Sequence, residues 1–213
     1  MLAVVLLSAG FSLTPTPSPQ LPLAVASTVK TVRDAASAYE RFSKEQYLAV
    51  ACIQSGILRS SSDLVAQSLR DVPALDFAHA AAMGTMGVVF SGLIGASWLR
   101  LLESKLVGSG TSSQDVLKKA AADFCLYAPF ANSAYLLCVP LLTALYTGGA
   151  DMNTLPAAAI DTWEQGIVAV MMLELSLFAP YNVLSFRFIP AQLRPQTTSA
   201  MCAGFTVALS GFC

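Results

Sequence analysis

Five ionisable side chains lie within or beside stretches of the chain that are otherwise apolar. They are Arg59, Asp63, His79, Asp123 and Glu174. A charge at membrane depth is costly, and such groups usually line a path for solutes or pair with one another inside a helix bundle. These five residues are therefore the candidate pore or intramembrane polar residues.

Three of these positions allow a structural as well as a functional interpretation. Arg59 and Asp63 lie four residues apart, so a single helix places them on one face, where they can pair. We favour this internal salt bridge over a polar lining of a conduit. Glu174 interrupts the fourth apolar stretch. A transport path would explain it, and so would a hydrogen bond to a neighbouring helix or to Arg59.

The chain lacks the residue patterns of common catalytic and metal sites. It has one histidine and no Ser-His-Asp set, and its GSGTSS segment lacks the lysine of a phosphate-binding loop. The cysteines are widely spaced among apolar residues, which predicts small core thiols rather than a metal centre or a disulfide framework. These cysteines are Cys52, Cys125, Cys138, Cys202 and Cys213. We expect no enzymatic activity, no metal and no cofactor of the protein's own.

The composition is that of a polytopic membrane protein. Of the 213 residues, 55% are hydrophobic and only 12% are charged, whereas about a quarter of the residues in ordinary soluble domains are charged. The mean hydropathy is +0.62. A net charge of -1 provides no basic surface for nucleic acid, which we exclude as a partner.

Apolar stretches predict the helices that position the candidate residues. The predicted crossings cover residues 47–69, 77–99, 124–150 and 165–186, and residues 195–213 form a fifth crossing or a helix lying on the membrane. Residues 77–99 span roughly 34 Å at about 1.5 Å of rise per residue, enough for the hydrocarbon core of a bilayer. We expect Pro129 and Pro140 to kink the third crossing or mark its ends.

Small residues in the second crossing predict close packing against a neighbouring helix. Gly87, Ser91 and Gly95 are four residues apart and so lie on one helix face, and Gly92 is a further packing position. Residues 24–44 are amphipathic, which suits an interfacial helix. The predicted fold class is therefore all-α: a polytopic bundle of four to five apolar helices with an N-terminal interfacial amphipathic helix, in which residues 24–213 form one domain.

Residues 1–23 are a leader or a disordered segment rich in Pro, Ser and Thr. The apolar run 1–10 is too short to cross a membrane, and with the hydroxylated, acid-free segment after it resembles the two-part leaders of plastid proteins. This slightly favours a plastid (thylakoid) membrane, with mitochondrial inner and peroxisomal membranes as alternatives. A Pro-rich tail that carries no address is the other interpretation.

The distribution of basic residues supports this layout. Ten Lys and Arg residues precede the first crossing or lie in the second-to-third and fourth-to-fifth connections, whereas the other two connections hold only Arg70. Such alternation is what the positive-inside rule predicts. It places the N-terminus and the second-to-third connection on one side of the membrane.

Several motifs are similar to those of the Mpv-seventeen / 22-kDa peroxisomal membrane protein family. The Asp63 and Gln67 pair closes the first helix as in that family, and the FAPYNVLSFRFIPAQLR segment from Phe178 resembles its most specific motif, with Ser185 in place of Asn. Further matching positions are Asp76, Trp98, Lys119, Pro129, Phe186, Pro190 and Arg194. The resemblance implies a small integral protein of an organelle membrane, usually with four spanning helices.

The resemblance also implies a function, because members of this family are thought to form channels or to influence metabolite balance. The first hypothesis is a channel-like pore lined by the five candidate residues. The alternative is a non-catalytic accessory subunit docked on a larger membrane complex, such as a photosynthetic or respiratory assembly. We expect membrane lipids and other membrane-protein subunits, or further copies of the chain, as partners, and pigments only within a photosynthetic complex.

Overall fold

The computed structural model describes residues 23–70, 74–148 and 154–210, and the predicted leader therefore lies almost entirely outside the described residues. These residues form helices and connections without a strand. The helices are α1 (Leu23–Glu45), α2 (Tyr47–Leu69), α3 (Phe77–Leu106), α4 (Ser113–Thr147), α5 (Leu155–Phe188) and α6 (Arg194–Ser210). A short 3-10 turn, Ala191–Leu193, precedes α6. The predicted all-α class is confirmed.

Three of these helices, α3, α4 and α5, are long and apolar enough to cross a membrane. Helix α2 covers the residues predicted for the first crossing, but Arg59, Asp63 and the intervening serines reduce its apolar character. The described part of α6 has 17 residues, at the lower limit for a crossing. The membrane helix bundle is thus confirmed, whereas a fourth and a fifth crossing and the interfacial position of α1 stay predictions.

Helix α4 begins earlier than the apolar stretch alone indicates. Its first segment, Ser113–Ala122, is amphipathic, and the hydroxyl of Ser112 caps it by accepting a hydrogen bond from the backbone N–H of Asp115 over 3.2 Å. The connection between the second and third predicted crossings is therefore short. Its four basic residues, Arg100, Lys105, Lys118 and Lys119, lie on the ends of α3 and α4.

Helices α4 and α5 each contain a five-residue π turn immediately before a proline. The turns are Asp123–Tyr127 and Glu174–Phe178, and Pro129 and Pro180 follow them. Proline lacks a backbone N–H, and its ring clashes with the carbonyl four residues earlier, so a wider turn at this point relieves the clash. Neither Pro129 nor Pro140 ends α4, which continues through both.

The small residues of α3 contact two different helices instead of one. A Cβ on Gly87 would lie 2.6 Å from the carbonyl oxygen of Ser55 on α2, whereas a Cβ on Gly95 would lie 2.6 Å from the Tyr127 hydroxyl on α4. Ser91 likewise contacts α4. The expectation that Gly87, Ser91 and Gly95 pack against a single neighbouring helix is therefore wrong. Gly87–Gly95 is a π segment, so the register of an ordinary α-helix does not apply to it.

The basic connections meet at one end of the bundle, as the charge pattern predicts. Gln192, just before α6, donates a hydrogen bond to Glu40 on α1 over 3.1 Å. Arg187, near the end of α5, donates to the carbonyl oxygen of Thr111 over 2.9 Å. These contacts place α1, the α3–α4 connection and the α5–α6 connection together.

Candidate functional site

A cavity of about 370 Å³ lies between helices α2 to α6, and its mostly apolar wall carries several polar groups. Three of the five candidate residues line it: Arg59 from α2, Asp123 from α4 and Glu174 from α5. Its other polar lining residues are Arg70, Ser91, Trp98, Tyr127, Asn132, Tyr135, Asn182, Thr198, Ser199, Cys202 and Thr206. The structure therefore brings charged groups that are far apart in the sequence into one space.

Asp123 is held in place at the cavity wall by two donors. The indole N–H of Trp98 donates to its Oδ1 over 2.8 Å, and the Asn182 side-chain amide donates to its Oδ2 over 2.7 Å. Asp123 is 7% exposed. Because each carboxylate oxygen has a donor, the burial cost of this polar group is partly offset.

Glu174 accepts a similar but longer hydrogen bond between the same two helices, α4 and α5. The side-chain amide of Asn132 on α4 donates to Glu174 Oε2 over 3.3 Å. The alternative in which Glu174 bonds to a neighbouring helix is therefore the observed one, whereas a hydrogen bond from Arg59 is not formed in the described part of the chain.

Arg59 does not form the predicted salt bridge with Asp63. Its guanidinium lies 4.9 Å from the ring centre of Tyr135, and its Nε is buried without a hydrogen-bond partner. Although Arg59 and Asp63 are one helical turn apart, their side chains diverge, because α3 and α4 offer each of them a different partner. Arg59 contributes a positive charge to the cavity that Glu174 also lines.

Asp63 and His79, the remaining two candidates, form a separate cluster away from the cavity lining. The Nδ1 of His79 lies 2.9 Å from Asp63 Oδ2, and the side-chain amide of Gln67 donates to the same oxygen over 2.7 Å. The side-chain carbonyl oxygen of Gln67 also accepts from the backbone N–H of Asp76 over 2.6 Å. This cluster joins the end of α2 to the start of α3, so both residues serve the helix connection.

A buried ion cluster at the opposite end ties together α3, α4 and α6. Lys119 is fully buried, and its Nζ donates to Glu103 Oε1 over 2.7 Å and to the carbonyl oxygen of Gly110 over 2.9 Å. Arg194 donates to the same Glu103 oxygen and, through Nε, to the carbonyl oxygen of Ile189 over 2.9 Å. The Glu103 carboxylate thus partly neutralises Lys119 and Arg194. Each of these two basic side chains also donates to a backbone carbonyl oxygen.

The cavity wall contains an internal repeat that the sequence analysis did not identify. Residues 123–130 read DFCLYAPF and residues 174–181 read ELSLFAPY. In both segments the carboxylate starts a π turn and the proline follows six residues later. The two hydrogen bonds cross between the helices, from Asn182 to Asp123 and from Asn132 to Glu174, so α4 and α5 run in opposite directions and form an inverted pair. A search for internal similarity would have revealed this feature.

Comparison with known proteins identifies relatives that cover most of the chain. It is 22% identical over 175 residues to Protein sym1 of Aspergillus oryzae, covering 81% of this chain and 94% of the relative. It is 23% identical over 154 residues to PXMP2/4 family protein 2 of Dictyostelium discoideum, covering 69% and 74%. It is 34% identical over 89 residues to the Mpv17-like protein of Xenopus laevis, covering 41% and 43%. All three relatives are Mpv17/PMP22 family members, and the chain is similar to them at low identity. No family model and no solved structure matches it.

The residues that match the Mpv17/PMP22 motifs hold helices and turns together in this chain. Asp76 caps α3 by accepting from the backbone N–H of His79 over 2.8 Å. Phe186 is 1% exposed and lies 5.1 Å from the Arg194 guanidinium, measured to its ring centre. Pro190 accepts from the backbone N–H of Leu193 over 2.9 Å. These motif positions therefore stabilise the fold, and only some of them, such as Trp98, also contact the cavity.

Proposed function

We propose that this protein is a channel-like member of the Mpv17/PMP22 family in an organelle membrane, with the cavity as part of its solute path. The observation that carries the proposal is the meeting of Arg59, Asp123 and Glu174, from three different helices, in one cavity of about 370 Å³. Ionisable groups inside a membrane bundle usually mark such a path.

The contrast between the cavity and the outer surface of α5 supports this proposal. Val168 is 70% exposed, Met172 60% and Leu175 50%, and such apolar side chains suit contact with lipid. Glu174 lies within this same part of α5, yet it faces the cavity. The helix therefore turns apolar side chains outward and one carboxylate into the cavity.

The family resemblance also guides the proposed location. It implies mitochondrial inner and peroxisomal membranes, and we favour these two. The plastid preference depended on residues 1–23, nearly all of which lie outside the described residues, and the relatives do not support it. We propose a non-enzymatic role that needs no cofactor and in which lipids are the main partners.

Release of a solute from proteoliposomes tests the proposal. Purified protein is reconstituted into vesicles loaded with sorbitol and with a dextran far larger than the cavity, and we expect release of sorbitol only. Ala131→Leu adds bulk to the cavity lining and slows release. Ala169→Leu makes the same change at an exposed position of α5 and leaves release unchanged.

Two outcomes would contradict a channel. Vesicles that retain sorbitol, although the protein is folded, would show that the cavity is not a path. Equal release by both leucine variants would show that the solute takes another route. If the protein also co-migrates at constant stoichiometry with a large assembly in gentle detergent, the accessory-subunit hypothesis replaces the channel.

A further inference from the structure

We propose that the cavity selects small zwitterionic solutes, which place an anionic group against Arg59 and a cationic group against Glu174. This inference rests on the proposed function, because it names the class of solute that the path would favour. It depends on which charged groups of the cavity already have hydrogen-bond or salt-bridge partners and which do not.

Arg59 lacks the anion that a buried guanidinium normally binds. Its Nε is buried without a hydrogen-bond partner, and no carboxylate of the described residues lies within salt-bridge distance of it. The face of the Tyr135 ring, 4.9 Å away, offsets only part of the burial cost. A guanidinium binds a carboxylate through two parallel hydrogen bonds, so an entering carboxylate would supply the missing partner.

Glu174 is the acidic group with the greater acceptor capacity left for a solute. A carboxylate offers about four lone-pair sites. Asp123 uses both of its oxygens, one for Trp98 and one for Asn182, whereas Glu174 accepts one amide hydrogen bond, at 3.3 Å. A cationic group in the cavity would therefore interact with Glu174 before Asp123.

Arg59 and Glu174 line the same cavity from different helices but form no salt bridge with each other. A solute with a single charge would gain one attraction and meet one repulsion. A zwitterion satisfies both groups at once, and a polyanion meets the acidic side of the cavity, which disfavours it.

Three solutes of similar size and shape separate these cases. Glycine betaine carries both charges, choline carries only the cationic group, and 3,3-dimethylbutanoate carries only the anionic group. Each is loaded into proteoliposomes together with sorbitol, whose release measures the open path. We expect glycine betaine to be released at least about tenfold faster, relative to sorbitol, than either singly charged analogue, a ratio that a modest difference in binding free energy produces.

Substitutions then assign each charge to its residue. Arg59→Gln is expected to shift the preference towards choline, and Glu174→Gln towards 3,3-dimethylbutanoate. Arg59→Lys keeps the positive charge and restores most of the preference for glycine betaine. Glu164→Gln removes a carboxylate at an exposed position of α5 and leaves the preference unchanged.

The sorbitol signal separates failure of this inference from failure of the proposed function. Normal sorbitol release with equal rates for the three charged solutes would overturn the zwitterion preference and leave the channel intact. Absence of sorbitol release from vesicles that hold folded protein would overturn both. The wild-type comparison is decisive even if a variant does not fold.

Discussion

The side-chain amide of Asn182 on α5 donates a hydrogen bond to Asp123 on α4 over 2.7 Å. The reverse arrangement, from Asn132 on α4 to Glu174 on α5, occurs at 3.3 Å. Each carboxylate starts a π turn that precedes a proline. The same local device thus occurs twice, in opposite directions, at the wall of one cavity.

Removing one asparagine tests how much this pair stabilises the bundle. In Asn182→Ala, Asp123 keeps only the Trp98 donor. Because hydrogen bonds to charged groups contribute about 1.5–3 kcal/mol, we expect a loss of this size in the free energy of unfolding. Titration of the detergent-solubilised protein with a denaturing detergent measures it.

Asn132→Ala is the matched control for that experiment, since it removes the longer of the two hydrogen bonds. We expect a smaller loss of stability from it. A loss as large as that of Asn182→Ala, or none in either variant, would show that the geometry of the two pairs does not determine their strength.

The ion cluster around Glu103 gives a second stability prediction. Glu103→Gln leaves Lys119 and Arg194 buried without a carboxylate, and breaking a buried ion pair in this way costs about 3–5 kcal/mol. Glu40→Gln breaks the exposed pair between Glu40 and Lys44, which are 3.2 Å apart, and such pairs contribute about 0–1 kcal/mol. If Glu103→Gln and Glu40→Gln lower the free energy of unfolding equally, the ion cluster does not stabilise the bundle as described.

Close helix packing predicts a strong effect of adding one methyl group at Gly92. A Cβ there would lie 2.5 Å from the Cα of Cys52 on α2, whereas a Cβ on Gly204 meets no atom within 4 Å. Gly92→Ala forces backbones apart, and overpacking of this kind costs about 1–3 kcal/mol. Gly204→Ala leaves the unfolding transition unchanged or raises it. The reverse ranking would mean that α2 and α3 do not pack as described.

The position of Asp63 predicts a contrast in solute release. Asp63 contacts His79 and Gln67 at the α2–α3 connection, so Asp63→Asn lowers stability but does not alter the preference among charged solutes. Arg59→Gln, one helical turn away, alters that preference. If Asp63→Asn changes the selectivity as Arg59→Gln does, Asp63 also lies on the solute path. The prediction that all five candidate residues line the path would then be supported.

The sequence was sufficient to predict the helical class and three of the cavity residues. Glu174 interrupts a long apolar run and Asp123 lies at the start of another. This local signal identifies them because a charge in or beside such a run is costly wherever the helix packs. Arg59 was identified in the same way. The partner of each charge depends on tertiary packing, and so the predicted pair of Arg59 and Asp63 was wrong.

Two features could not be read from local patterns. Glu103 lies in a stretch with several charges, which indicates a solvated connection, and its burial follows only when Arg194 returns from a distant part of the chain. The register of Gly87, Ser91 and Gly95 assumes an ordinary α-helix. Gly87–Gly95 is instead a π segment, and the spacing of these residues does not indicate it.

Modification of Cys202, which lines the cavity, is the most direct test of a solute path through it. The other cysteines are changed to serine, the protein is reconstituted with sorbitol, and a small charged methanethiosulfonate reagent is added. We predict that Cys202 reacts and that sorbitol release then stops. A protein that keeps only Cys125, which is exposed on α4, should release sorbitol normally after the same treatment. Unchanged release from vesicles whose Cys202 is fully modified would contradict a solute path through this cavity.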